Sequence, residues 1–313
     1  MLYSGDLGRG GCLGGSGQNV REQPLVSVVT PSYNMAIFLP DAIESVLSQD
    51  YLAIEYIVMD AGSQDGTLAI LERYKDRLRY VSQPDRGATD AVNRGFRLTR
   101  GEIFAWLSAD DLYYPGAVRA AVAYLLAHPE AGAVYGEACW IDAVGNYLGP
   151  YPTRPCDALR LEQDCQICQP ACFVRREVFE SAGMLDTSLH FAFDYDLWIR
   201  IARRHRFGYI PDRLAASRMH PQNKTLVQRP KALRESMEVL RRHYSYIPPS
   251  WVYTYCRHLL DPRAQCLQPV RPSALAYCLS LPAGWLRNPR RLWRYWREWA
   301  APLIERLRHR NAA

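Results

Sequence analysis

The chain lacks any apolar run long enough to cross a bilayer as a helix; its longest apolar segment, residues 274–286, is short and interrupted by Pro282. It also lacks the apolar core of a secretory signal near its N-terminus. The nine cysteines are an odd number, so reduced thiols in a cytosolic compartment are expected rather than a disulfide framework. Cys165, Cys168 and Cys172 are closely spaced, yet no second cluster supplies the rest of a zinc ligand set. The glycines of residues 1–23 have neither a strand before them nor a helix after them, so they form no dinucleotide fingerprint. That segment has few apolar anchors and is predicted to be disordered.

What is present is the composition of a globular enzyme with an unevenly placed charge. The net charge is +6, and from Ser250 onward eleven Arg stand against three acids. The basic excess therefore belongs to the tail, and the body before it is slightly acidic. Five of the eight tryptophans share that tail. Leu292, Trp296, Trp299, Leu303 and Leu307 recur at nearly helical spacing, with Arg290, Arg291, Arg294 and Arg297 largely off the stripe. Pro302 should kink or split such a helix. A basic amphipathic helix with tryptophan suits the plane of an anionic membrane surface, and it equally suits docking on its own domain with the charged face in water. No recognised module accompanies the charge, so nucleic acid is not an expected partner.

The body alternates strand and helix. Residues 25–30 and 54–59 are buried strands, 78–82 is a third, and 102–107 is a fourth. Helical faces lie between them at 41–49, 67–75 and around Ala88, Val92 and Phe96. A helix from Pro115 to about Ala127, strands at 132–137, 172–174 and 207–210, and a helix carrying Leu197, Ile201 and His205 follow. Residues 145–170 are polar and Pro-rich, and are predicted to be a mobile loop. The pattern is that of a doubly wound, mostly parallel α/β sheet.

Acids gather where these strands stop. Asp60 and Asp65 follow the second strand, Asp110 and Asp111 follow the fourth, and Asp194 opens a helix. In open α/β sheets ligands sit beyond the carboxyl ends of the strands. Two adjacent carboxylates there suit a divalent magnesium or manganese ion whose shell is completed by substrate phosphates. They also suit a turn cap with one solvated acid. A separate carboxylate across the site could take a proton from an attacking hydroxyl, which makes Asp194 the candidate base, although an N-cap is another use for it.

Taken in order, Val26-Ser27-Val28-Val29-Thr30-Pro31-Ser32-Tyr33-Asn34, Val58-Met59-Asp60-Ala61-Gly62-Ser63-Gln64-Asp65-Gly66-Thr67 and Leu107-Ser108-Ala109-Asp110-Asp111 resemble the signature of glycosyltransferase family 2. The resemblance covers about residues 24–225, leaving 226–313 as a helical C-terminal extension. It implies a GT-A fold, with a nucleotide-binding sheet continuous with an acceptor-binding half. It further implies inverting transfer from a nucleotide-diphosphate sugar to a hydroxyl of a glycan or lipid-linked glycan, with a divalent metal. Thr30, Ser32, Asn34, Asp60 and Asp65 would border the nucleotide, as would Arg86, Asp90 and Asn93. Asp110 would approach the ribose, Asp111 and His220 the metal, and Gln169 would open the acceptor side. The acid pair reads Ser-Ala-Asp-Asp, without the first acid of a strict D-x-D, which shifts the metal onto Asp111. Phe193 stands where the family usually has Glu before the catalytic Asp, matched here by Asp194. The expected location is cytoplasmic, at the inner face of the membrane if the tail binds there. The rival classes are a catalytically silent nucleotide-sugar-binding scaffold and a dinucleotide oxidoreductase. The latter is excluded by Thr30-Pro31-Ser32-Tyr33-Asn34, which stands where a Gly-rich phosphate turn is needed.

Overall fold

The computed structural model describes residues 23–262 and 272–311, with side chains as far as Ile304. The predicted disorder of residues 1–22 and the stripe position Leu307 lie outside what is described.

The first half is built from β1 (Val26–Ser32), α1 (Leu39–Leu47), β2 (Ile54–Asp60), α2 (Thr67–Arg73), β3 (Arg79–Ser82), α3 (Ala88–Arg97) and β4 (Ile103–Trp106). The strands pair in parallel, in the order β3-β2-β1-β4. Alternation along each strand feeds two cores. Val29, Ile57, Met59, Phe104 and Trp106 face α3 on one side. Val26, Val28, Val58, Ile103 and Ala105 face α1 and α2 on the other. This is double winding, and it requires a close helix-on-sheet approach at Gly95, where a Cβ would stand 2.5 Å from Val29 Cγ1.

The second half contains β5 (Leu112–Tyr113), α4 (Ala117–Ala127), β6 (Ala131–Ile141), β7 (Tyr147–Pro150), α5 (Ala158–Gln163), β8 (Cys172–Arg175), α6 (Arg176–Ser181), α7 (Phe193–Ala202) and β9 (Arg206–Arg218). β8 is antiparallel to both β4 and β6, joining the parallel half to a mixed one that continues β6-β9-β5. Several expectations change here. Residues 145–170 are not a bare loop: they hold β7 and α5, and Leu161 and Ile167 are fully buried in the core. β9 runs far past Ile210, because its whole length pairs with β6. α7 ends at Ala202, so His205 lies beyond it rather than on its face.

The C-terminal part is α8 (Lys224–Val227), α9 (Arg229–Tyr244), α10 (Pro249–Leu260), α11 (Ala274–Arg287) and α12 (Leu292–Asn311). α12 continues through Pro302 without a break. Helices α9 to α12 share the core with α7, through Leu233, Met237, Leu240, Val252, Ala276 and Tyr295. Docking of α12 uses Tyr295, whose hydroxyl donates to Ser280 O at 2.7 Å, and Trp299, whose Nε1 donates to Tyr277 O at 3.1 Å. Among the stripe residues with described side chains, only Trp299 takes part in this docking. Trp293 is 71% exposed, Leu292 and Trp296 are also exposed, and the two indoles stack on each other at 4.9 Å. Among the described residues no helix is long and apolar enough to cross a membrane.

Candidate active site

The turns after β1 and β2 form one end of the site. Asp60 is buried, and its carboxylate accepts from Gly62 N, Ser63 N, Ser63 Oγ and Ser82 Oγ, which folds the turn around it. Asn34 has a left-handed φ of 52°, the conformation Asn tolerates best after Gly. Its N–H donates to Ser63 Oγ and its Oδ1 accepts from Gln64 N, clasping the two turns together. Asp65 does similar work, accepting from Ala36 N and from Thr67. Thr30 is buried with its hydroxyl 3.0 Å from Tyr56 OH. Ser32 differs: its Oγ is buried and has no partner among the described residues. A buried hydroxyl is costly without a hydrogen bond, so this position suits a ligand.

At the start of α3, Arg86 Nη2 donates to Asp90 Oδ1 at 3.0 Å, and this guanidinium holds the Asp90 carboxyl below the usual range. Asn93 turns into the core, where its amide exchanges two hydrogen bonds with the backbone of Leu185. Asn93 thereby ties α3 to the segment before α7, and both its amide groups are spent on that tie.

The acid pair lies beyond β4, in the turn that β5 closes. Asp111 is buried, and its Oδ1 accepts from Arg218 N at 2.9 Å. Burial, then the neighbouring Asp110, push its pKa well up. Asp110 Oδ2 lies 3.0 Å from His220 Nε2, and the imidazole also meets Gln222 through Nδ1 and packs on Phe38. The hydrogen bond to Asp110 outweighs burial and raises the His220 pKa. Both ring nitrogens of His220 are therefore engaged within the protein. Among the described residues no three His, Cys, Asp or Glu side chains converge as a metal cage. The donor set instead fits an ion held by one or two carboxylates with phosphates completing the shell, the usual arrangement for magnesium or manganese. Two adjacent acids, one buried and hard to ionise alone, are what such an ion relieves.

Arg218 has no counterpart in the sequence reading. It is 1% exposed, and its guanidinium donates to Asp110 O, Ala143 O and Asp41 Oδ2 at 2.9–3.0 Å over the Phe38 ring. One buried cation thus fixes the acid turn against α1 and the end of β6.

Asp194 stands in the first turn of α7. The N-cap is Ala192, not Asp194, so the capping alternative does not hold. Desolvation dominates its carboxyl and pushes its pKa up to about 6, with Glu235 adding to the rise. Glu235, on α9, accepts from the backbone N–H groups of His190, Phe191 and Ala192 at 2.5–3.0 Å. It therefore holds the segment that delivers Asp194. Asp111, Gln169 and Asp194 all line one cavity of about 570 Å³. Gln169 is oriented by its 2.6 Å donation to Trp106 O. The other sequence candidates lie outside that cavity wall, along the carboxyl ends of β1 and β2, the start of α3, and the back of the acid turn.

A parallel half with polar turns at its strand ends, joined to a mixed half across an acid pair, is the architecture of a GT-A glycosyltransferase. Residues 27–183 match glycosyl transferase family 2, and the chain belongs to that family. An uncharacterised glycosyltransferase of Rickettsia conorii is 33% identical over 211 residues, covering 63% of this chain and 34% of that protein. One of Rickettsia typhi is 32% identical over 212 residues, covering 63% and 64%. The PGL/p-HBAD biosynthesis glycosyltransferase of Mycobacterium tuberculosis is 31% identical over 182 residues, covering 56% and 69%. This chain thus spans about a third of the first relative and under two-thirds of the second. Among solved structures, S. aureus TarS 1-349 in complex with UDP-GlcNAc superposes with a TM-score of 0.59 at 15% identity, covering 86% of this chain and 82% of that one. The mannosyltransferase PcManGT from Pyrobaculum calidifontis, in complex with GDP-Man and Mn2+, gives 0.57 at 23% identity, covering 91% and 86%. At these identities the likeness is one of fold.

Proposed function

We propose that this glycosyltransferase is an inverting, divalent-metal-dependent enzyme that moves a sugar from a nucleotide-diphosphate donor to a hydroxyl of a glycan or lipid-linked glycan. The observation that carries this is the shared cavity: Asp111 and Asp194 both border it, and Asp194 is tuned to about 6. The nucleoside lies along the ends of β1 and β2 and the start of α3. There Ser32 offers an unspent hydroxyl, while Thr30, Asn34, Asp60, Asp65 and Arg86 with Asp90 shape the rim. Asp110 serves the ribose side. Asp111 and His220, with Asp110 beside them, would hold manganese or magnesium, which when bound would supply positive charge against the leaving diphosphate. The acceptor oxygen attacks the anomeric carbon from the Asp194 side, the bond to the diphosphate breaks, and the proton passes to the Asp194 carboxylate. Attack opposite the leaving group inverts the anomeric centre, the same opposed-carboxylate logic as in inverting glycosidases.

Residues 24–225 form the catalytic domain in this reading, and 226–313 form a helical extension. That extension meets the cytoplasmic face of a membrane through the exposed Trp293, Trp296 and Leu292, with arginines around them. Other proteins of this fold are described with UDP-GlcNAc and with GDP-Man and Mn2+, which supports the donor class and the metal. The test is a thermal-shift screen of nucleotide-diphosphate sugars with and without manganese, since a ligand of the native state raises Tm. One donor should raise Tm more with manganese than without, and Asp111→Ala should abolish the difference. An equal manganese-dependent shift in both proteins would remove Asp111 as the metal residue.

A further inference from the structure

The cavity does not end at Asp194. Its far wall is made by α9 and α10: Arg229 and Ser236 come from one face of α9, and Trp251, Thr254 and Arg257 from α10. The spacing of Arg229, Ala232, Leu233 and Ser236 is that of a single helical face, so the wall is a continuous surface. Two features of it call for a ligand. Arg229 and Arg257 are half-buried, and neither guanidinium has a hydrogen bond or ion pair to a side chain or carbonyl among the described residues. Elsewhere in α9, Arg234 is spent on Tyr255 and Arg242 on Asp186, while Arg241 is exposed to solvent. Arg229 also opens α9, where the helix dipole works against a cation and no acid stands in the first turn. A guanidinium presents a planar fork of donors that matches carboxylate or phosphate. Beside this fork, Trp140, Tyr151 and Trp251 line the cavity with aromatic surface.

Resting on the proposed transfer reaction, we infer that the acceptor bears an anionic group, a carboxylate or a phosphate, which Arg257 and Arg229 bind while the aromatic rings pack against its sugar. The C-terminal helices would then set acceptor choice and not merely support the fold.

The test uses the full chain in EDTA, so that no metal-phosphate contact contributes, and follows tryptophan fluorescence as inorganic phosphate, D-glucuronate or D-glucose is added. Phosphate and glucuronate separate the two anion sources, and glucose is the neutral reference. At least one anion should bind about tenfold more tightly than glucose or better, as expected for charge-assisted hydrogen bonds. Arg257→Gln should bring that ratio close to one, Arg257→Lys should restore part of it, and Arg229→Gln should reduce it. Unchanged Tm in each variant separates the effect from unfolding. Equal binding of anion and glucose in the wild type overturns the inference, as does a ratio unmoved in both glutamine variants. Because the readout is binding, it is independent of turnover. Anion selectivity without donor consumption would sink the transfer reading, whereas donor consumption without anion selectivity would sink this one.

Discussion

In the proposed transfer Asp194 is the base, and its environment gives that proposal a definite pH signature. A base must be ionised to accept a proton, and burial raises its pKa to about 6. Activity should therefore fall as pH drops through about 6, with full activity above that value. Glu235 contributes to the rise by its charge. Glu235→Gln should move the acid limb of the kcat/KM profile to lower pH, and should also lower turnover by loosening the His190–Ala192 segment that Glu235 grips. A limb that stays in place would show that Glu235 does not act on Asp194. Asp111 and Asp194 are candidates from sequence because the first follows the apolar run of β4 and the second opens α7. Arg218 and Glu235 are not. Arg218 is one Arg among many, and its role exists only once Asp41, Asp110 and Ala143 meet around it. Glu235 serves backbone groups 43–45 positions away in the chain, which no local pattern announces.

At the scale of elements, the buried strands of the parallel half read clearly, since β-branched and aliphatic runs bounded by turn residues have few other uses. β5, β7 and α5 did not: β5 is only two residues long, and β7 and α5 fall within the polar, Pro-rich stretch 145–170. Pairing with β9 and β6 makes the two strands, and burial of Leu161 fixes the helix. Asn93 shows the same limit: its amide holds the backbone of Leu185, 92 positions away, a tie that nothing in the α3 sequence announces. The position of α3 depends on Gly95, and Gly95→Ala tests this. Alanine favours a helix over glycine by about 1 kcal/mol. Its Cβ would meet Val29 at 2.5 Å, and overpacking of a dense core costs about 1–3 kcal/mol. The clash should win, lowering the urea midpoint. A higher midpoint would mean that α3 can lift off β1 freely.

At the scale of the whole molecule, the tail has two faces with different work. Tyr295 and Trp299 bind it to α11, while Trp293, Trp296 and Leu286 face outward among arginines, with Leu286 82% exposed. Aromatic and basic side chains together on an exposed surface favour anionic lipid headgroups. The chain should co-sediment with vesicles containing phosphatidylglycerol and not with neutral ones, and changing Trp293 and Trp296 to Ser should release it with Tm unchanged. Binding that persists in the double variant would place the contact elsewhere. The sequence stripe foresaw an amphipathic α12 and left its use open; of its positions with described side chains, Trp299 docks on α11 while Leu292, Trp296 and Leu303 are exposed, and Tyr295, off the stripe, fits against Gly284.

The account as a whole requires the acid turn after β4 and the first turn of α7 to be two ends of one transfer site. The most direct measurement is consumption of a donor by Asp194→Asn beside the wild type, with manganese and with donor binding followed by thermal shift. The account predicts turnover lower by about 10²- to 10⁴-fold, with the donor-induced shift in Tm retained. Donor consumption by Asp194→Asn at the wild-type rate would contradict it.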